Sequence, residues 1–358
     1  MATELAQTPE TKPVRPIILS SEHPADKMQE LMEKLEQGVK DVFRSDQYKE
    51  YLTVMSKFYN YSFNNVLLIA MQKPDASLVA GFSAWKNHFG RHVKKGEKGI
   101  KIMAPISRKV KIEEKEESGT NTSGGETAED PDKEKKTRNV ITGFKVVSVF
   151  DISQTEGKEL PEYYGAKELS GYVEDYTDLF AAIRETSPVP VGFEDIPGEA
   201  HGYYHQIEKR IALQEEMSEL QNIKTLIHET AHARLHAIDL AAPEEERADQ
   251  PDQSTREVQA ESVAYVVCQY FGLDTSDYSF AYVAGWSSGK EMPELRASLD
   301  VIRNAAKETI TAIEGQLSLR REYQKESPEK AKQEEPEAGI TRGRSERPEK
   351  GKEMVRCL

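Results

Sequence analysis

The chain is expected to fold as an α+β protein of two domains, an N-terminal helical and β-hairpin domain followed by a second domain built around paired helices. Its 358 residues suffice for two compact units and charged tails. Apolar residues at helical spacing recur near both ends, whereas β-branched and aromatic runs fall between them. A Pro- and Gly-bearing stretch separates the halves. The expected limits are a flexible arm at 1–21, a first domain at 22–155 with an acidic disordered insert at 113–137, a linker at 156–167, a second domain at 168–316, and a charged disordered tail at 317–358.

In the first half, Met28, Leu31, Leu35, Val39 and Val42 mark a helix from His23 to Phe43. A second helix runs roughly from Gln47 to Phe58 with Tyr48, Tyr51, Leu52 and Met55 inward. A third, Ser62 to Gln72, is stopped by Pro74. Gly81 to Phe89 reads as a short fourth helix ended by Gly90. Arg91 to Lys101 then reads as a basic strand-turn-strand that continues extended to Ile112. Val140 to Phe150 has the composition of its partner strand. Between them lies the acidic, Ser- and Gly-rich insert, which can bury little.

The second half opens with a helix over Tyr172 to Thr186. Extended pieces follow within Gly192 to Gln214, with a turn at Ile207-Glu208-Lys209. Two helices come next, Ser218 to Leu240 and Ser254 to Leu273, joined by an acidic loop. Phe280 to Ser288 leads into a last helix through Ile302 and Ile313. No internal repeat is evident.

Mean hydropathy is −0.68 and the hydrophobic share 37%, low enough that part of the chain is expected to stay disordered. The formal charge of −14 argues against a nucleic-acid partner only if the charge is evenly spread, and it is not. Two cysteines, Cys268 and Cys357, make no disulfide framework and suit a reducing cytosol. The start lacks an apolar leader and no run is long enough to span a membrane, so a cytoplasmic location without membrane contact is expected.

The helix from Ser218 carries His228-Glu229-Thr230-Ala231-His232. Leu220, Ile223, Leu226, Ile227 and Leu235 give it a buried face, and Ser218 with Gln221 begins it as a capping box. Side chains four apart on a helix lie one above the other, so the two imidazoles can share one ion. Such a pair supplies half of a tetrahedral Zn2+ site, and Glu229 stands where a general base would take a proton from water. A lone histidine on such a helix is more often a core residue; the complete motif on a helix favours metal. His236 lies a further turn along, rotated off the pair, and is not expected to be a ligand. On the next helix Glu257 and Glu261 flank the stripe of Ala260, Val263, Ala264, Val267 and Phe271. Carboxylates there call for a metal or a charged partner. Ser254-x-x-Glu257 is also a capping box, a competing use for that carboxylate.

The arrangement H-E-x-x-H followed by E-x-x-x-E resembles the gluzincin plan. That resemblance makes Glu257 the metal ligand and Glu261 the acid that orients a ligating histidine, with the reverse assignment kept open. The hairpin before the motif is where zinc peptidases place the edge strand that pairs with substrate backbone. Tyr203, Tyr204 or His205 could stabilise an oxyanion, and spacing alone selects none of them.

In the first half, Lys86, Arg91, Lys94, Lys95, Lys98 and Lys101 cluster against the single acid Glu97, bordered by aromatics including Tyr61 and Trp85. Cations along a backbone with aromatic faces for bases are what single-strand binding needs. The competing reading is soluble surface lysines and a core tryptophan, since Trp85 and Phe89 stand four apart on a helix.

The YSxxNxLLI helix, the Q-x-P-x-A-S turn and the GFxxWxxxFGRxVKKGEKGI segment resemble the N-terminal domain of the ArdC-type antirestriction proteins of plasmids and conjugative elements. LIHETAHARLH and EVQAESVAYVVCQYFG resemble the zincin-like metallopeptidase half of those proteins and, more distantly, the ImmA/IrrE peptidases. The resemblance covers roughly Leu31 to Trp286 outside the acidic insert. It implies single-stranded DNA as a partner of the first domain, and zinc at His228, His232 and one acid of the Glu257/Glu261 pair. The expected function is thus a mobile-element antirestriction-type protein that binds single-stranded DNA and carries a zinc metallopeptidase domain, with a protein or peptide as substrate. Two alternatives stand beside it: a non-catalytic DNA-binding protein with a structural or vestigial zinc site, and a regulatory peptidase that cleaves a repressor.

Overall fold

The computed structural model describes residues 12–111, 137–160, 176–238 and 250–326. Most of the acidic insert, most of the linker, the loop joining the two motif helices and the end of the tail lie outside these residues. The first half opens with helices α1 (Pro24–Val42), α2 (Ser45–Lys57) and α3 (Phe63–Gln72). Strand β1 (Val79–Gly81) and helix α4 (Phe82–Asn87) follow, and then strands β2 (Arg91–Val93), β3 (Ile100–Lys111), β4 (Thr137–Asp151) and β5 (Thr155–Gly157). The main sheet has the order β1-β4-β3 and is antiparallel, with a register shift between Ile106 and Ser107.

Strand β3 is an edge, and α3 closes it. The Asn65 amide donates to the Met103 carbonyl and accepts from the Met103 N–H, both at 2.9 Å. Gln72, seven residues and two turns further on, makes the same pair of bonds to Lys101, again at 2.9 Å. Two amide side chains thereby satisfy backbone groups that an open edge would offer to other chains.

The basic strand-turn-strand expected from Arg91 to Lys101 is not a local hairpin. Strand β2 pairs instead with β5, His92 opposite Glu156, while the turn hands the chain on to β3. The cause is Gln154, whose side chain donates to the Lys98 carbonyl and to Glu97, and whose carbonyl accepts from the Lys94 N–H. Gly96, at φ 90°, supplies the left-handed residue that this turn requires. Residues 12–21, expected within a flexible arm, run extended beside α3. Arg15 N–H donates to the Gln72 carbonyl, and Val14, Ile17 and Leu19 rest on the core.

In the second half, helix α5 (Tyr176–Thr186) precedes a sheet of β6 (Val191–Glu194), β7 (Gly202–His205) and β8 (Arg210–Gln214) in the order β6-β8-β7. Strand β6 runs parallel to β8 and β7 antiparallel, which leaves β7 at an edge. The motif helices are α6 (Glu219–Leu235) and α7 (Gln253–Tyr270), followed by the short α8 (Val283–Ser287) and the long α9 (Met292–Glu326). Helix α9 runs past residue 316, where a disordered tail was expected to begin. Arg320 fastens the added turns to α5 through Asp178 and Glu185.

The halves share one core. Helix α2 packs on α7, Phe43 and Tyr48 meet Trp286 and Phe280, and buried apolar residues from α1 to α9 form a single connected cluster. Inside that contact the Tyr48 hydroxyl bonds Ser262 Oγ at 2.8 Å, with both residues fully buried. Among the described residues no helix is long and apolar enough to cross a membrane.

Candidate metal centre

Helix α6 begins at Ser218, whose side chain accepts from the Gln221 N–H, but the Gln221 side chain turns to Thr225 and His201, so only half of the expected capping box forms. Ile223, Leu226 and Ile227 are buried, and so are Lys224, Thr225, Glu229 and Thr230, because sheet, α5, α7 and α9 surround this helix. Gly202 on β7 permits the close approach: a Cβ there would stand 2.6 Å from Thr225 Cγ2 and 2.8 Å from the Ala212 carbonyl. Helix α7 begins earlier than expected. Its cap is Asp252, which accepts from the Thr255 N–H and from Ser254 Oγ, so the Ser254-Glu257 capping box does not form. The Glu257 carboxylate is thereby left for other partners.

Those partners are the two imidazoles. Glu257 Oε2 lies 3.6 Å from Nε2 of His228 and 3.6 Å from Nε2 of His232, while the two Nε2 atoms are 3.1 Å apart. Donors at 2.0–2.1 Å in a tetrahedron lie roughly 3.4 Å from one another, so three of four positions are spaced as a small divalent ion needs. His228, His232 and Glu257 form a cluster that can hold a metal ion. Glu261 approaches from the other side, with Oε2 3.3 Å from His228 Nδ1.

The electrostatics are those of a charged group of donors. Burial opposes protonation of His228, but Glu257 and Glu261 outweigh it and lift its pKa to about 10. The imidazoles of His228 and His232, each 3.6 Å away, hold Glu257 far below the usual carboxylate range. Glu229 is 8% exposed and does not join the cluster. Burial raises its pKa, partly offset by the two histidines and by the Tyr204 N–H, which donates to its carboxylate from the edge strand. A basic carboxylate beside a set of metal donors is suited to proton transfer.

A cleft of about 440 Å³ opens over these groups, walled by Gly202, Tyr203 and Tyr204 of β7 and by Arg256 and Glu257 of α7. Of the three oxyanion candidates, the Tyr203 hydroxyl is engaged by Glu194 and Arg210, and His205 Nδ1 accepts from the Glu208 N–H. The Tyr204 hydroxyl is buried without a partner among the described residues. His236 stays outside the Glu257 cluster. Its Nδ1 lies 3.0 Å from His232 Nδ1 and its Nε2 2.9 Å from Gln259 Oε1, and burial depresses its pKa to about 4. This connection was not anticipated; its one visible trace is the four-residue step from His232 to His236.

The basic residues of the first half are less convergent. Arg91 is committed to Thr155 and Lys158, Lys94 Nζ to the Ser153 carbonyl, and Lys101 Nζ to Ser148. Lys86, Lys95 and Lys98 are exposed, and their ammonium groups have no partner among the described residues. Trp85, expected to offer a face to a base, is 0% exposed. Its indole N–H donates to the Phe150 carbonyl at 2.9 Å and its ring packs on Phe89, which makes it a core residue of α4. Tyr61 is half-buried, edge-on to Phe58.

Each half of the chain has a counterpart among known domain families. Residues 22–150 match the family described as the N-terminal domain of anti-restriction factor ArdC, and residues 184–310 match the IrrE N-terminal-like domain of the M78 peptidase family. The chain therefore carries an ArdC-like N-terminal domain and an IrrE-like C-terminal domain. An uncharacterized protein of Bacillus anthracis is 27% identical over 348 residues, covering 90% of this chain and 56% of that protein. The chain thus spans little more than half the length of that relative. A metal-free crystal structure of the antirestriction ArdC protein from plasmid R388 aligns with 72% of this chain and 84% of its own, at 22% identity and a TM-score of 0.40.

Proposed function

We propose that this is an antirestriction-type protein of a mobile element, with single-stranded DNA as the ligand of its first half and zinc-dependent peptide hydrolysis as the activity of its second. The observation that carries the hydrolytic reading is the trio of His228 Nε2, His232 Nε2 and Glu257 Oε2 with Glu229 beside it. Two imidazoles and a carboxylate are a donor set of catalytic zinc sites, and zinc held there supplies the Lewis acidity that polarises a peptide carbonyl. Glu229 accepts the proton of the attacking water on its carboxylate and passes it to the leaving amine; its raised pKa favours both halves of that transfer. Strand β7, free along one edge, aligns an extended substrate by strand addition. The likeness to an ArdC-type domain and the unpaired Lys86, Lys95 and Lys98 support the DNA half.

The deciding experiment is Glu229→Gln in the full chain, with zinc content and peptide cleavage measured together. Retained zinc with cleavage reduced by about 10²–10⁴-fold is the expected result. Unchanged cleavage removes Glu229 from the reaction, and zinc binding by both proteins with no cleavage by either supports a non-catalytic site.

A further inference from the structure

The two histidines of the motif are supported on their far sides by different chemistry. His228 Nδ1 faces a carboxylate, Glu261 Oε2, at 3.3 Å. His232 Nδ1 faces another imidazole, Nδ1 of His236, at 3.0 Å. Two nitrogens can share one hydrogen bond only if one carries a proton and the other does not, so the tautomer of His236 dictates that of His232.

The next links set that tautomer. His236 Nε2 lies 2.9 Å from Gln259 Oε1, an atom that can only accept, so Nε2 carries the proton. The other end of the same amide, Gln259 Nε2, donates to Ser298 Oγ on α9 at 3.1 Å. Gln259 and Ser298 are each 5% exposed and His236 1%, so water does not compete for these groups. With its Nε2 protonated, His236 offers Nδ1 as an acceptor. His232 must then donate from Nδ1, and its Nε2, which faces Glu257 and lies 3.1 Å from His228 Nε2, carries a lone pair and no hydrogen.

The geometry points to His236 and Gln259 as positioning residues for the metal centre: a buried Ser298–Gln259–His236 chain across α9, α7 and the end of α6 locks His232 in its Nδ1–H tautomer and thereby keeps Nε2 ready for a metal ion. This inference rests on the metal-site reading above. It assigns a task to a third histidine and to a glutamine outside the motif. It also explains the burial of a polar chain whose side chains pair with one another and, at its end, with His232. Partners on the far nitrogen of a ligating histidine commonly tune affinity by 10–100-fold. Reversal of the Gln259 amide would send every proton the other way and place a hydrogen on His232 Nε2, so the orientation of one amide decides whether the site is primed or blocked.

Two measurements on the full chain test this. In the metal-free protein, ¹⁵N shifts of the histidine rings should show His232 protonated at Nδ1 and His236 at Nε2. The opposite assignment overturns the inference, whatever the protein does with zinc. Zinc affinity, read by competition with a chelator, should fall about 10–100-fold in His236→Leu and in Gln259→Leu. It should recover in His236→Asn, whose amide oxygen can accept from His232 Nδ1–H. Wild-type affinity in both leucine variants, with their melting temperatures intact, also overturns it. Failure of the wild-type protein to bind zinc would instead refute the metal-site reading while leaving the ring assignments to decide this one.

Discussion

The two halves of the molecule present their chemistry in opposite ways. In the second half the donors converge: His228, His232 and Glu257 come from two packed helices, and their ligating atoms lie within 4.8 Å of one another. Their far sides are occupied by Glu261 and His236, and Glu229 lies beside the edge strand at the wall of the cleft. In the first half the charges disperse. Half of the six cations singled out in the sequence are tied to local carbonyls and hydroxyls, and the other half point into solvent. A metal site needs a few atoms at fixed separations, so single substitutions should act sharply. A surface for a flexible polyanion needs only summed charge, and loss of one lysine should act weakly.

The sharpest way to break this contrast is to remove the two acids of α7 separately. Glu257→Ala deletes a donor and should abolish stoichiometric zinc binding, whereas Glu261→Ala should leave stoichiometry intact and weaken affinity about 10–100-fold. Equilibrium dialysis with metal analysis distinguishes the two. An exchange of effects would make Glu261 the ligand, since its carboxylate is equally within reach of His228.

Next in size is the dependence of zinc affinity on pH. In the metal-free protein the His228 pKa is lifted to about 10 by Glu257 and Glu261, so at neutral pH an incoming ion must displace its proton. Affinity should therefore rise by about tenfold per pH unit from near 7 and level off near pH 10. Stability of the metal-free protein should move oppositely. A group whose folded pKa exceeds its unfolded value of about 6.5 stabilises fully below that value and loses the contribution as pH climbs through the folded one. Melting temperatures of metal-free protein across pH 6.5–10 should thus fall, while those of zinc-loaded protein should not follow.

For the dispersed half, replacing Lys86, Lys95 and Lys98 together by Ala should lower single-strand affinity and reduce the salt slope by about 2, at roughly 0.7 per phosphate contact. Arg91→Ala should instead act mainly on folding, because its side chain braces β2 against the Thr155 hydroxyl and carbonyl and the Lys158 carbonyl. Filter binding at several salt concentrations, with melting curves alongside, separates the two effects. A salt slope unchanged in the triple variant would place the strand elsewhere on this domain.

How much of this could be seen in the chain depended on whether the partners were local. His228 and His232 share a helix, so their alignment follows from spacing alone, and Ala260, Val263 and Val267 reveal the buried stripe beside Glu257. Strand β2 reads locally as half of a hairpin because its partner lies more than sixty residues away, selected by the buried side chain of Gln154. Trp85 reads both as a face for a base and as a core residue paired with Phe89, and the Phe150 carbonyl that accepts from its indole N–H decides for the core. The task of His236 is hidden for a similar reason: the proton it donates is received by Gln259, twenty-three residues on and on the next helix. Asn65 and Gln72 looked like ordinary polar positions on a helix, and only the strand beside them shows that they serve its edge.

The smallest expected effect bears on whether the contrast is one of surfaces or of separate bodies. Tyr48 of α2 and Ser262 of α7 share a fully buried hydrogen bond, and Ser262 follows directly upon Glu261. Tyr48→Phe keeps the ring against Phe43 and Phe280 but leaves the serine hydroxyl unpaired, at a cost of about 1–3 kcal/mol. With a single connected core, that loss should displace one cooperative urea transition common to probes in both halves. Zinc affinity should stay within a few-fold of wild type, because the backbone of α7 is held independently by α6 and α9. Two separated transitions, only one of them moved by the substitution, would mean that the halves fold as independent bodies despite their shared contacts. A clear drop in zinc affinity would mean the reverse: that the basic half reaches the metal centre through this helix, and that convergent and dispersed chemistry are coupled in a single machine.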